Sequence, residues 1–268
     1  MQKMTKSKSK QKQNEMSSKI TASQREAFSA SLEKIVGVDR DRTTIGTLAE
    51  KTVHAVLKNY FDPDEDHQEI TIDRYVADVF TGKEIIEIQT RQMYRMKGKL
   101  DAFLPSYPMK IVYPIPAEKQ LYWIDPETGE TSGGRKSPRK GTPYDIFPEI
   151  YGIREYLDRP GLSLCLVLMK VTEYKLLTGR SRDRKHFGAE RFDRIPTELV
   201  DEICLTCPED YMQFVPDTLP ERFTAKDFAK EAHISADTAS YALRVLRQLG
   251  IVEKVGKSGK AYLYSCTY

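Results

Sequence analysis

Three residues carry the clearest hint of chemistry: Asp78, Glu87 and Gln89. Asp78 closes the run Arg74-Tyr75-Val76-Ala77-Asp78. Glu87 and Gln89 lie in Ile85-Ile86-Glu87-Ile88-Gln89, beyond the turn residues Thr81-Gly82-Lys83. In a β-hairpin, the end of one strand lies beside the middle of the next, and Asp78 and Glu87 would project from the same face. Two carboxylates held among Ile and Val side chains repel, and both are costly to desolvate. A hard divalent cation removes that conflict. Mg2+ takes a few carboxylate oxygens, keeps several waters and binds substrate phosphate. It can activate a water and stabilise the leaving oxygen in phosphodiester cleavage. The plainer alternative is that Asp78 ends a strand at a turn and Glu87 lies on the solvated face of an edge strand.

The elements that must position these residues are legible as patterns. In residues 44–60, Ile45, Leu48, Val53, Val56, Leu57 and Tyr60 recur at helical spacing. Pro63 then disfavours helix in the residue before it. Residues 69–80 read as one strand, with Ile70, Ile72, Val76, Asp78 and Phe80 on one face by the two-residue period. Residues 85–90 form a second strand. A helical pattern follows over 92–104, with Met93, Met96, Leu100 and Phe103 as its inner stripe. Residues 109–115 are a strongly apolar strand that Pro116 is expected to end. Helix, hairpin, helix, strand is an α/β layout in which a crossover helix reaches the last strand.

The two acidic runs, set on this order of elements, resemble the PD-(D/E)xK nuclease superfamily over roughly residues 44–116. The resemblance implies a restriction-endonuclease-like αβββαβ core. It implies Asp78 and Glu87 as metal ligands joined by the Ile88 backbone carbonyl, with Mg2+ or Mn2+ as the cofactor. Gln89 would position the attacking water, and Glu50, on the preceding helix, would support the metal or its water shell. Two positions depart from the family pattern. Ala77 stands where the family has Pro, a position without chemistry. Gln89 stands where it has Lys, and a Gln side chain orients water without supplying a cation. Lys97 or Lys99, on the following helix, are candidates for that missing charge.

The C-terminal residues give a second motif. Thr224 caps a helix, with Asp227 placed as in a capping box. His233-Ile234 turn the chain, Ser235 caps a second helix reaching Leu249, and Gly250 stops it. Residues 251–255 and 261–265 read as two short strands around a Gly- and Lys-rich turn. Residues 223–264 resemble a winged helix-turn-helix domain, in which the second helix enters the DNA major groove. Ser235, Thr238, Ser240, Tyr241 and Arg244 would then face bases and phosphates, and Lys254, Lys257 and Lys260 would meet the backbone. A winged helix used only for protein contact is the alternative.

The rest of the chain sets bounds. Residues 1–22 are mostly Lys, Ser, Gln and Asn, a composition expected to remain disordered. Residues 162–171 read as a strand, residues 180–194 as basic and irregular, residues 197–203 as a helix and residues 210–214 as a short helix. The basic stretches 135–140 and 180–194 are candidates to line a duplex channel. Three segments follow: a basic tail (1–22), an extended nuclease-like domain (23–208) and a winged-helix domain (209–268). Cys204 and Cys207 form one Cys-x-x-Cys without a second pair at ligand spacing, so reduced thiols are the expected state. The apolar run near residue 165 is too short to span a bilayer, and the Lys-rich start has no apolar stretch behind it. These features lead us to expect a cytoplasmic protein with no membrane, and the two resemblances imply double-stranded DNA as its partner. The superfamily's habit of cutting both strands as a pair makes a homodimer one arrangement. The function expected is metal-dependent DNA endonuclease. The alternative is a DNA-binding transcriptional regulator whose nuclease-like domain is inactive, as Gln89 suggests.

Overall fold

Residues 162–169 are largely apolar on both sides of the backbone, as suits a strand segment whose two faces are both covered. Leu164, Leu166 and Leu168 bury into one apolar core, while Cys165, Val167 and Met169 bury into another. The computed structural model describes residues 20–37, 51–179 and 188–267, and these two cores organise it.

In chain order the elements are α1 (Ala22–Val36), α2 (Lys51–Phe61), β1 (Gln68–Ile72), β2 (Tyr75–Phe80), β3 (Ile85–Ile88), α3 (Lys97–Phe103, entered through a 3-10 turn at Met93–Met96), β4 (Met109–Ile124), β5 (Thr131–Lys136), the short α4 (Phe147–Ile150), β6 (Leu162–Leu176), β7 (Glu190–Leu205), β8 (Phe223–Thr224), α5 (Ala225–Glu231), α6 (Ala236–Gln248), β9 (Val252–Ser258) and β10 (Ala261–Cys266). The large sheet runs β1-β2-β3-β4-β6-β7, with β5 paired on β4. The β3–β4 and β4–β6 pairs are parallel and the others antiparallel. The chain is therefore mixed α/β. Helices α1 and α2 cover one face, burying Phe28, Val53, Val56 and Leu57 against Val79, Ile86, Ile88 and Val112. On the other face lie Met93, Met96, Leu100 and Phe103, the stripe read from the sequence.

Several expectations are corrected. Residues 69–80 are two strands rather than one, because Asp73 takes a left-handed conformation (φ 53°) and turns β1 back on β2. Strand β4 does not stop at Pro116. The carbonyls of Val112 and Pro116 accept from the amides of Gln89 and Gly141. Even-numbered residues here thus turn their peptide groups toward the edge shared with β3. That strand ends at Ile88, opposite Val112, so the missing donors of Pro114 and Pro116 interrupt no ladder. Residues 197–203 are part of β7 rather than a helix. Register shifts against β6 break the simple alternation of β7, leaving Leu199 and Ile203 buried at a spacing that mimics a helix. Within the 1–22 tail, Ile20 is buried and Thr21 forms a capping box with Gln24 that starts α1. Residues 1–19 lie outside the described residues, as do the start of the 44–60 pattern and Glu50.

The C-terminal elements follow the sequence reading closely. Thr224 and Asp227 form the reciprocal capping box of α5, His233 supplies the turn (φ 55°), Ser235 caps α6 and Gly250 ends it at φ 74°. Strands β8, β10 and β9 make a three-stranded antiparallel sheet in that order. This module shares its core with the large sheet. Phe228, Ala239 and Leu243 belong to the same apolar cluster as Ile146, Phe147 and Ile150. No helix among the described residues is long and apolar enough to cross a membrane.

Candidate active site

Strands β2 and β3 pair at Phe80–Ile85 and Val79–Ile86, and there the ladder ends. One step beyond, the Asp78 carboxylate takes the place of a ladder carbonyl: the Ile88 amide donates to Asp78 Oδ2 at 2.8 Å. His54 Nε2, reaching over from α2, lies 3.0 Å from the same oxygen. From α3, Lys99 Nζ donates to both oxygens of Glu87, at 2.8 and 2.7 Å. The end of the β2–β3 ladder thus holds His54, Asp78, Glu87 and Lys99, two carboxylates each with a basic partner.

Burial makes this arrangement electrostatically tense. The Glu87 side chain is only 4% exposed and that of Asp78 15%. Burial pushes the Glu87 carboxyl up, the nearby Asp78 charge pushes it further, and Lys99 only partly offsets them, leaving it at about 7. Burial acts on Asp78 in the same sense. There, the His54 bond and charge, the Ile88 amide and the Lys99 ammonium outweigh it and hold the carboxyl below its usual range. Two neighbouring carboxylates with divergent proton affinities are the arrangement a divalent cation would relieve, and burial alone would not place two acids side by side.

Of the residues singled out from the sequence, Asp78, Glu87 and Ile88 come together. Gln89 is engaged elsewhere: its Nε2 donates to the Arg91 carbonyl. Lys97 pairs with Glu155, leaving Lys99 as the cation on Glu87. His54 was missed by the sequence reading. Its signal was its place within the helical pattern of residues 44–60, next to the buried Val53. Close by, a cleft is lined by Val53, Thr90, Pro114, Pro116, Met169, Arg191 and Arg194. Of its two arginines, Arg194 donates to buried Glu173 at 3.1 and 2.7 Å.

The C-terminal candidates are used differently from one another. Ser235 Oγ accepts from the Thr238 amide at 3.0 Å and bonds its hydroxyl at 2.9 Å, so both residues serve the cap of α6. Ser240 is half-buried. The Tyr241 ring meets Tyr151 edge-on, 5.3 Å between centroids, and the Arg244 guanidinium lies 5.5 Å over the same Tyr151 ring. This face of α6 therefore rests on the Tyr151–Tyr156 turn. On the β9–β10 hairpin, Lys254 and Lys257 lie 3.6 and 5.2 Å over the Tyr262 ring, and Lys260 is exposed.

Comparison with known proteins adds kinship without chemistry. The model of a family described as a domain of unknown function, DUF8091, matches residues 51–206. An uncharacterized protein of Treponema pallidum (strain Nichols) is 31% identical over 227 residues, covering 82% of this chain and 87% of its own length. No solved structure matches.

Proposed function

Because the chain belongs to the DUF8091 family, whose description assigns no activity, its chemistry has to be read from the site, and we propose a divalent-cation-dependent DNA endonuclease. The observation that carries this reading is the juxtaposition of Asp78 and Glu87 where β2 and β3 part, with Lys99 on Glu87. The supporting frame is the order α2, β1, β2, β3, α3, β4, compatible with the αβββαβ order that the resemblance implies. The β8–β10 module would act as the winged helix.

The donor set suits Mg2+ or Mn2+: two carboxylates whose repulsion is incompletely offset, on a strand edge that also offers the Ile88 carbonyl. When bound there, such an ion would neutralise phosphate charge and lower the pKa of a water. Asp78 is kept ionised by His54 and the Ile88 amide, ready as a ligand without first losing a proton. Lys99 would release one Glu87 oxygen and keep its ammonium beside the reacting phosphate, supplying the cation that Gln89 lacks. His54, bonded to the same Asp78 oxygen as the Ile88 amide, would fix the orientation of that carboxylate. Arg191 and the lysines of the β9–β10 hairpin would meet the DNA backbone.

The test is cleavage of plasmid and linear DNA with Mg2+ or Mn2+, beside Asp78→Ala and Glu87→Ala. Metal-dependent nicking lost in both variants supports the proposal. A second reading is favoured by one observation: Gln89 is tied to the Arg91 carbonyl while both Glu87 oxygens are occupied by Lys99. In that reading the chain is a DNA-binding regulator with an inactive site. It predicts no cleavage, with salt-dependent DNA binding that weakens when Lys254, Lys257 and Lys260 are changed to Gln.

A further inference from the structure

On the far side of the large sheet from α3, Cys165 of β6 stands directly opposite Cys204 of β7. Their sulfurs are 3.7 Å apart. Glu202, two residues before Cys204 and so on the same face, brings Oε1 to 3.9 Å from Cys204 Sγ. One donor atom from each residue lies within 4.8 Å of the others. The other oxygen of Glu202 accepts from the Tyr60 hydroxyl at 2.8 Å, which fixes the carboxylate from helix α2.

We propose that Cys165, Glu202 and Cys204 form a binding site for a thiophilic divalent cation of the zinc class. The geometry supports it. Two thiolates on a tetrahedral zinc, each about 2.3 Å from the metal, are separated by about 3.8 Å, and the two sulfurs are already at that spacing. A disulfide would need them at about 2.05 Å. Two sulfurs and one carboxylate oxygen leave a fourth position. Cys165 is buried and Cys204 exposed, so that position opens to solvent and a water can fill it. Tyr60 then acts as the outer partner that orients a ligating carboxylate. Binding would displace the thiol protons and tie the edge strand β7 to β6 and α2. The site is separate from the Asp78–Glu87 pair and does not depend on its reading.

The experiment uses the full chain, reduced and stripped with a chelator, titrated with Cd2+ and read by the thiolate-to-cadmium charge-transfer absorption, with zinc content and melting temperature measured in parallel. The expected result is one equivalent of metal and a melting temperature raised by zinc. Both should be lost in Cys204→Ser, whose exposed side chain leaves the core intact, and kept in Cys207→Ser and Cys266→Ser. Tyr60→Phe should weaken binding by about tenfold. No charge-transfer band in the folded native chain, a band that survives Cys204→Ser, or a Cys165–Cys204 disulfide in the freshly purified protein would each overturn the proposal.

Discussion

Lys99 holds both carboxylate oxygens of Glu87, from a different element and across the crossover that separates β3 from β4. Its ammonium partly offsets the effect of the nearby Asp78 charge on that carboxyl. Removing it leaves two buried acids facing one another. Lys99→Met should therefore cost about 1–3 kcal/mol at pH 8, a buried-pair loss discounted for the partial exposure of the lysine. The cost should shrink at pH 5, where Glu87 accepts a proton. Denaturant unfolding at the two pH values measures both numbers, and an equal cost at each would rule out the charge explanation.

Glu87 itself makes stability depend on pH. Its carboxyl is raised from an ordinary 4.5 to about 7 in the fold, so the folded state binds its proton more tightly than the unfolded chain. The resulting stabilisation is complete below pH 4.5 and is lost as pH rises to about 7. Glu87→Gln has no such titration. Its stability relative to the native protein should rise steadily between pH 4.5 and 7, then level off. A flat difference across that window in paired melting curves would count against the assignment.

The role of Gln89 can be separated from that of Lys99 by activity. Gln89 is bonded to the Arg91 carbonyl, so Gln89→Ala should lower metal-dependent cleavage by less than about tenfold. Lys99→Ala should lower it by about 10²–10³-fold, as for loss of one group that stabilises developing charge. His54→Ala, which frees the Asp78 carboxylate, should fall between them. Single-turnover rates on one DNA substrate give the ranking, and a larger loss at Gln89 than at Lys99 would reverse the assignment.

The Tyr151–Tyr156 turn, on which α6 rests, approaches Tyr94 closely at Gly152. A Cβ on Gly152 would come 2.7 Å from the Cβ of Tyr94 and 3.3 Å from its Cα. Neither atom can swing away as a side-chain tip could. Gly152→Ala should therefore separate the Met93–Met96 turn from the Tyr151–Tyr156 turn on which α6 rests, costing about 1–3 kcal/mol. A lowered melting temperature checks this, and an unchanged one would show that the two turns adjust freely.

The sequence by itself determined the local devices. The capping box at Thr224 and Asp227, the Ser235 cap, the stop at Gly250 and the Met93–Phe103 stripe are set by side chains a few residues apart, so near neighbours are enough to specify them. The two acids on neighbouring strands were legible for the same reason, because a tight turn fixes which residues of a hairpin meet. The tertiary structure decided the rest. Which base meets each acid was not local: His54 comes from α2 and Lys99 from α3, and their convergence depends on how both helices lie on opposite faces of the sheet. The same holds for β7, whose helix-like spacing is overruled by its ladder with β6. It holds also for α6, whose outward face was free in the sequence reading until Tyr241 met Tyr151. Long-range packing outweighs local propensity where many backbone hydrogen bonds and buried side chains depend on one register, and those partners are distant in sequence.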